Sequence, residues 1–342
     1  MKSKKRYISI IIFVAILLCA PSLIFANAKD KIEKSYAFKR DGRVTLQNVS
    51  GDVIVRGSKD DQVKITATHA GGAKNDLNEV VHITQTSGDI RIATHAGKSF
   101  GIFRSTTSVR YELLIPISAH VKIETTSANV EISGMGGALE VKTVSGTIKI
   151  LSVKENVKCK TISGDIYLKD IQGIADLKTT SGDIHIHHLD GSIEAESVSG
   201  DMDLKNIDGE VDLKTTSGDV SISGMKGSLE AESVSGDIDQ KSLSEINEIE
   251  METISGDISA QGVLVPNGSY ILGSHSGDIK FAAPLESNFE LLTKTSNGDI
   301  DCDFDLKGYV IIDRKQLQGI VGKGGSSLNI STFSGNIHIN KY

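Results

Sequence analysis

The triplet Ser-Gly-Asp returns at Ser163, Ser181, Ser199, Ser217 and Ser235, each 18 residues after the last. A fixed period near this length marks a repeat architecture, in which each unit buries its apolar side only by stacking on its neighbours. The unit Ser163 to Thr180 shows what is encoded. Ile166 and Leu168 are apolar with Tyr167 and Lys169 between them, which is the period of a strand. Asp170-Ile171-Gln172-Gly173 makes a second corner, with glycine where a tight turn needs positive φ. Ala175 and Leu177 then alternate again before the next triplet.

Stacking such units about 4.8 Å apart lines equivalent residues into columns. Five columns are apolar. They begin Ile166/Ile184/Met202/Val220/Ile238, Leu168/Ile186/Leu204/Ile222, Ile171/Leu189/Ile207/Met225, Ala175/Ile193/Val211/Leu229 and Leu177/Ala195/Leu213/Ala231. The predicted interior is narrow and aliphatic, in keeping with a chain that has no tryptophan. One outward column alternates in sign, Lys178/Glu196/Lys214/Glu232, and each opposed pair across strands is worth about 0.2–1 kcal/mol. The alternation exposes a longer repeat, since Asp212 to Asp237 nearly copies Asp176 to Asp201. The expected fold is all-β: a single-stranded parallel β-helix, or β-solenoid, with 18–21-residue coils and two short strands per coil.

The regular coils occupy part of the chain. Residues 1–28 carry a basic start (Lys2, Lys4, Lys5, Arg6), an apolar run from Ile8 to Ala20 and an Ala26-Asn27-Ala28 cleavage pattern, the layout of a secretory signal peptide. Tyr7 to Ala26 is also long enough to span a bilayer, but Pro21 and the cleavage pattern favour removal. Removal takes four basic residues and no acidic one, so the formal charge of −7 becomes −11. Such a balance argues against nucleic acid or an anionic membrane as partner, and leaves the leader as the only expected membrane contact. Residues 29–126 carry the pattern irregularly, with polar or glycine-bearing loops at 71–78 and 97–107. From 127 to 342 the solenoid is predicted to run to a closing coil, its spacing loosening where Gly236, Gly256, Gly277 and Gly298 fall 20, 21 and 21 apart. Wound in sequence order, the chain would make about 15–17 coils over roughly 70–80 Å. Cys159 and Cys302 fall in apolar columns, too far apart to bridge.

Three stretches resemble a bacterial family of exported adhesin-like proteins built from a β-strand-repeat domain of unknown function. They are the opening FKRDGRVTLQNVSGDVIVRG at 38–57, the central YELLIPISAHVKIETTSANVEI at 111–132 and the closing GKGGSSLNISTFSGNIHI at 322–339, with the Ser-Gly-Asp-Ile ladder between the last two. The chain departs from the family pattern at Ala128-Asn129, where Gly-Asp is usual, and in its long run of near-identical coils. The resemblance implies a right-handed parallel β-helix and an exported location.

Candidate chemistry is sparse. Asp165, Asp183, Asp201, Asp219, Asp237, Asp257, Asp278 and Asp299 form a column of carboxylates that a hard cation such as Ca²⁺ would relieve. Turn chemistry accounts for the same residues if each Asp accepts backbone N–H groups in its own turn, and the calcium-roll pattern of glycines in both halves of a coil is missing. A second acidic column, Asp176/Glu194/Asp212/Glu230, lies beside the lysines. His185 and His187 project from one side of a strand, with His188 next to them. They offer a transition metal two ligands and no third, so an exposed strand accounts for them too. Gly322-Lys323 lacks the spacing of a phosphate loop and reads as a turn. No triad pattern occurs, and exposed aromatics such as Tyr167 are scattered.

These observations point to a non-enzymatic exported solenoid that needs no cofactor and presents a repetitive polar surface to a protein or polysaccharide of the envelope. A polysaccharide-acting enzyme would instead need a carboxylate cluster in a cleft beside the 71–78 or 97–107 loop. An envelope sensor is a third possibility. Residues 29–45 and 305–325 are the candidate end caps, and an uncovered end would drive end-to-end self-association.

Overall fold

A computed structural model describes residues 31–70, 76–86, 88–95, 108–243, 245–312 and 315–342. The leader at 1–28, most of the 71–78 loop and the whole 97–107 loop lie outside the described residues.

Each regular coil is shaped by one backbone feature absent from the predicted pattern. Ile166 and Leu168 are buried and Tyr167 and Lys169 exposed, so simple alternation would bury residue 170. Asp170 instead takes a left-handed conformation, φ 55°, and stays outside. The phase shifts by one, and Ile171 turns inward. The same kink recurs at Gly134, Ser152, His188, Asn206, Gly224 and Ser242, all with φ between 55° and 70°. This column is where the long strand bends around the core. Most side chains there lack glycine's freedom and carry a cost of about 1–2 kcal/mol.

Stacking is parallel and in register. Ile166 lies opposite Ile184 and Tyr167 opposite His185, and Met202–Ser217 stays paired with Val220–Ser235 along its whole length. All five predicted apolar columns are buried. Two short strands per coil holds at Ile166–Gln172 and Ala175–Lys178. It fails at Met202–Ser217 and Val220–Ser235, where pairing runs through the second corner and makes one 16-residue strand per coil. A sixth buried column is hydroxylic, including Thr143, Thr179, Thr253, Ser274 and Thr332. Thr253, Ser274 and Thr332 donate to the carbonyls of Gly236, Gly256 and Gly277 at 3.1–3.2 Å, tying the strand end to the turn of a neighbouring level.

The ends depart most from the prediction, because coils do not stack in sequence order there. The first coil, Arg43–Ser50 and Val53–Ser58, slots between two later ones. Val44 pairs with Val121 on one side and Ile90 on the other; Val53 pairs with Val130 and Tyr111. The last coil, Ser327–Ser334 and Ile337–Lys341, is likewise inserted. Ser269–Ser276 and Ile279–Ala283 lie below it, and Phe289–Asn297 and Ile300–Cys302 above. Gly277 and Gly298 therefore are not on adjacent levels, although they are 21 apart in sequence.

Antiparallel strands then terminate the stack. Val81–Thr86 covers Asp89–Thr94, Gln62–His69 covers Val109–Pro116, and Lys31–Ala37 covers Gln62–His69. At the other end Gln316–Val321 covers Phe289–Asn297 and is covered by Leu306–Ile312. Thirteen parallel levels can be followed among the described residues, spanning about 55–60 Å at strand spacing, fewer than the 15–17 predicted. Chain counted as coils is used as caps, which satisfy the backbone groups a bare terminal coil would expose. The outer strand Lys31–Ala37 is itself protected by exposed Lys31, Glu33 and Lys34.

Candidate functional site

The Ser-Gly-Asp turns form one straight edge of the solenoid, and its geometry starts from glycine. A Cβ on Gly182 would lie 2.1 Å from the carbonyl oxygen of Gly164, and one on Gly200 would lie 2.0 Å from that of Gly182. Glycine is required here by the approach of one turn to the next.

That approach sets the aspartate ladder. The Asp183 amide donates to Asp165 Oδ1 at 3.1 Å, Asp201 to Asp183 at 3.0 Å, Asp219 to Asp201 and Asp237 to Asp219 at 2.9 Å. Asp257 and Asp278 continue it at 2.8 Å. The predicted bond within each Asp's own turn is corrected: the carboxylate accepts from the amide of the next level, which stacking brings within hydrogen-bond reach. Two asparagines take the same place. Asn129 Oδ1 accepts from Thr147, and Asn336 Oδ1 from Asp299, both at 3.0 Å. The feature common to the column is an acceptor oxygen rather than a charge.

The histidines separate. His185 stacks on Tyr167 with ring centroids 4.7 Å apart. His187 stands between Lys169 and Lys205 in the neighbouring column. His188, in the left-handed column, turns away, its Nδ1 2.9 Å from Asp170 Oδ1. Among the described residues no three His, Cys, Asp or Glu side chains are grouped so as to hold a metal ion.

The second acidic column is laced by lysines. Lys158 pairs with Asp176, and Lys178 reaches Glu196 at 2.6 Å and Glu194 at 3.4 Å. The Glu196 hydrogen bond holds the Lys178 ammonium above its usual pKa. Lys214 alone serves Asp212, Glu230 and Glu232 at 3.6–3.9 Å, and the Glu230 carboxyl is raised chiefly by the charge on Asp212. Cys159 is buried and its thiol is pushed up by that burial. Gly322-Lys323 is a turn: Gly322 has φ 62° and the Lys323 amide donates to Asn288 Oδ1 at 2.8 Å.

Sequence reasoning missed an exposed apolar column on the same edge. Val144, Ile162, Val198, Val234, Ile254 and Phe333 are 43–52% exposed, with Thr126, Thr180, Thr216 and His275 at the intervening levels. His275 stacks on Phe333 with centroids 5.0 Å apart and planes 3° from parallel. The signal was present as β-branched residues recurring one position after the buried hydroxyl column. They follow a buried hydroxyl position, and two successive residues of an extended chain cannot both point inward.

Near the first coil lies a polar recess of about 420 Å³ among Ser50, Asp52, Ser108, Ser127, Asn129 and Ser145. Asp52 is the one carboxylate among its described lining residues; it accepts from Asn129 Nδ2 at 3.3 Å and lies 3.9 Å from Arg110. The carboxylate cluster required by the enzymatic alternative is not found among those residues.

A family model described as Toastrack DUF4097 matches residues 43–239 and 209–265. No curated protein matches. Among solved structures, a "putative adhesin" from Bacteroides fragilis is similar at 12% identity, with 91% of this chain and 97% of that one covered and a TM-score of 0.31. A "putative lipid binding protein" from Parabacteroides distasonis shares 12% identity over 92% and 97%, with a TM-score of 0.31. A "putative cell adhesion protein" from Clostridium sporogenes shares 9% over 91% and 100%, with a TM-score of 0.20.

Proposed function

Given that the chain belongs to the Toastrack DUF4097 family, we propose that it is a non-enzymatic, exported β-solenoid whose Ser-Gly-Asp edge is an adhesive surface. The observation that carries this reading is the uniformity of that edge. Most levels repeat an apolar or threonine side chain, a serine and an aspartate or asparagine in the same place, with Thr147, His275 and Ser296-Asn297 as departures. Such a row favours many weak contacts with a repetitive polymer or an envelope protein, whose combined strength exceeds any one of them. Winding is taken as right-handed, the hand of about 98% of crossovers between parallel strands of one sheet. Export rests on the basic and apolar leader. No helix among the described residues is long and apolar enough to cross a membrane.

The test is retention of bacterial envelope fragments on the immobilised mature chain. Replacing Ile162, Val198, Val234 and Ile254 together by threonine, which the same column already carries at Thr180 and Thr216, should lower retention several-fold without changing the fold. Equal retention by the variant would refute the assignment of function to this edge.

A further inference from the structure

The outer face beside that edge is least repetitive at Tyr167 and His185, where the Tyr167 hydroxyl donates to Asp165 Oδ2 at 3.4 Å. Along the solenoid axis one outward column reads Lys149, Tyr167, His185, Asp203, and the next reads Leu151, Lys169, His187, Lys205. At the following level the same two columns carry Ser221 and Ser223. Between the columns runs a shallow groove of about 240 Å³, open along the axis. Tyr167 and His185, stacked on each other, form one wall; Leu151 and the stems of Lys169, His187 and Lys205 form the other.

Charge in the groove is unevenly compensated. Lys205 is held by Asp203 at 2.5 Å. The nearest aspartates of the turn edge accept backbone amides, with Asp165 Oδ2 also accepting from the Tyr167 hydroxyl of the groove wall, and Asp170 faces His188. Lys149 and Lys169 are exposed and have no carboxylate partner among the described residues. Two free ammonium groups therefore flank Tyr167 on a chain whose formal charge is −7. The floor is the backbone at Leu168 and Ile186, whose strands are paired on both sides. An extended peptide that binds by adding a strand needs free backbone groups, and this floor offers none. Recognition must come from side chains: cations for acidic groups, and ring edges and alkyl stems for apolar patches between them.

We propose that this groove binds a linear anionic glycan laid along the solenoid axis. Its acidic substituents meet Lys149 and Lys169, and the C–H faces of its sugar rings rest on Tyr167, His185 and Leu151. The proposal deepens the adhesive reading above and rests on it, naming the polymer class for one face.

The experiment is affinity electrophoresis of the mature full chain in gels containing polygalacturonate or heparin, with dextran as the neutral control. Both acidic polymers are expected to retard the protein, less so at high salt, and dextran to leave it unretarded. Tyr167→Ser and the double variant Lys149→Ser/Lys169→Ser should each weaken retardation about tenfold, the loss of one or two charged or stacking contacts. Serine already stands in both columns at Ser221 and Ser223, so an unchanged thermal midpoint is expected. No retardation of the wild type, retardation by dextran, or equal retardation of the variants overturns the groove. Wild type that retains envelope fragments but ignores both acidic polymers refutes the glycan site alone; wild type that retains neither refutes the adhesive reading as well.

Discussion

Replacing Gly182 by alanine tests the stacking logic directly. Gly182 lies outside the left-handed region, so alanine meets no conformational objection. The objection is spatial: the added Cβ would sit 2.1 Å from Gly164 O, against an ordinary contact of 3.4 Å or more. The two turns must part by more than an ångström. Three hydrogen bonds of 3.1 Å or less cross that gap, beside a longer one from Thr179 Oγ1 to Gly164 O at 3.4 Å: Ser181 N–H to Ile162 O at 2.8 Å, Asp183 N–H to Asp165 Oδ1 at 3.1 Å, and Ile166 N–H to Asp183 O at 2.9 Å. At about 0.5–1.5 kcal/mol each, losing them costs roughly 2–4 kcal/mol, offset by about 0.4–1 kcal/mol from the stiffer unfolded chain. Urea denaturation of Gly182→Ala should show this loss, with faster amide exchange confined to the levels around residues 163–201. Gly308→Ala is the counterpart, since Gly308 has φ 60° and open space around it; its cost should be only about 1–2 kcal/mol, from conformation. If Gly182→Ala lies within 0.5 kcal/mol of wild type, turn-to-turn contact is not what requires glycine in this column.

Three further outcomes follow from other columns. Ser152 is left-handed at φ 55°, so Ser152→Gly should raise stability by about 0.5–1 kcal/mol, whereas Asn206→Val should lower it by about 2 kcal/mol or more, both read from urea midpoints. Asp201→Asn should leave stability within about 0.5 kcal/mol, because Asn129 and Asn336 already serve as ladder acceptors. Asp201→Ala should cost about 1 kcal/mol, since the Asp219 amide loses its acceptor. A Ca²⁺-dependent rise in thermal midpoint, abolished by Asp201→Asn, would contradict the acceptor account. Tyr111 is buried against Thr94 at 2.6 Å, and burial pushes its pKa up to about 12 from 10.0. The stabilisation is complete below pH 10 and fades as pH rises from 10 to 12, where only the unfolded phenol ionises. The loss is about 2–3 kcal/mol at 1.36 kcal/mol per pH unit. The stability difference between wild type and Tyr111→Phe should shrink across that window; parallel profiles would rule out Tyr111 as the source.

Much was legible in the sequence, for a definite reason. An 18-residue repeat makes each coil's neighbour a near copy of itself, so a position inward in one coil is inward in all, and Ile166, Ile184 and Met202 could be placed in one buried column from spacing alone. The same logic placed Gly173 at a corner that needs positive φ and put Lys178 opposite Glu196. What remained hidden depends on backbone phase or on space. The left-handed column is filled by Ser152, Asp170, His188 and Asn206, residue types that betray no common φ, and its kink separates His188 from His185. The aspartate bonds cross between levels, and only the distance between stacked turns decides which amide a carboxylate reaches. The order of levels at the ends is tertiary too: the coils 43–58 and 327–341 each sit between partners that follow or precede them in the chain. Local pattern determines that a segment is a coil of this solenoid. Its level is settled by which stack leaves the fewest backbone groups unpaired, and that count exists only once the chain has folded.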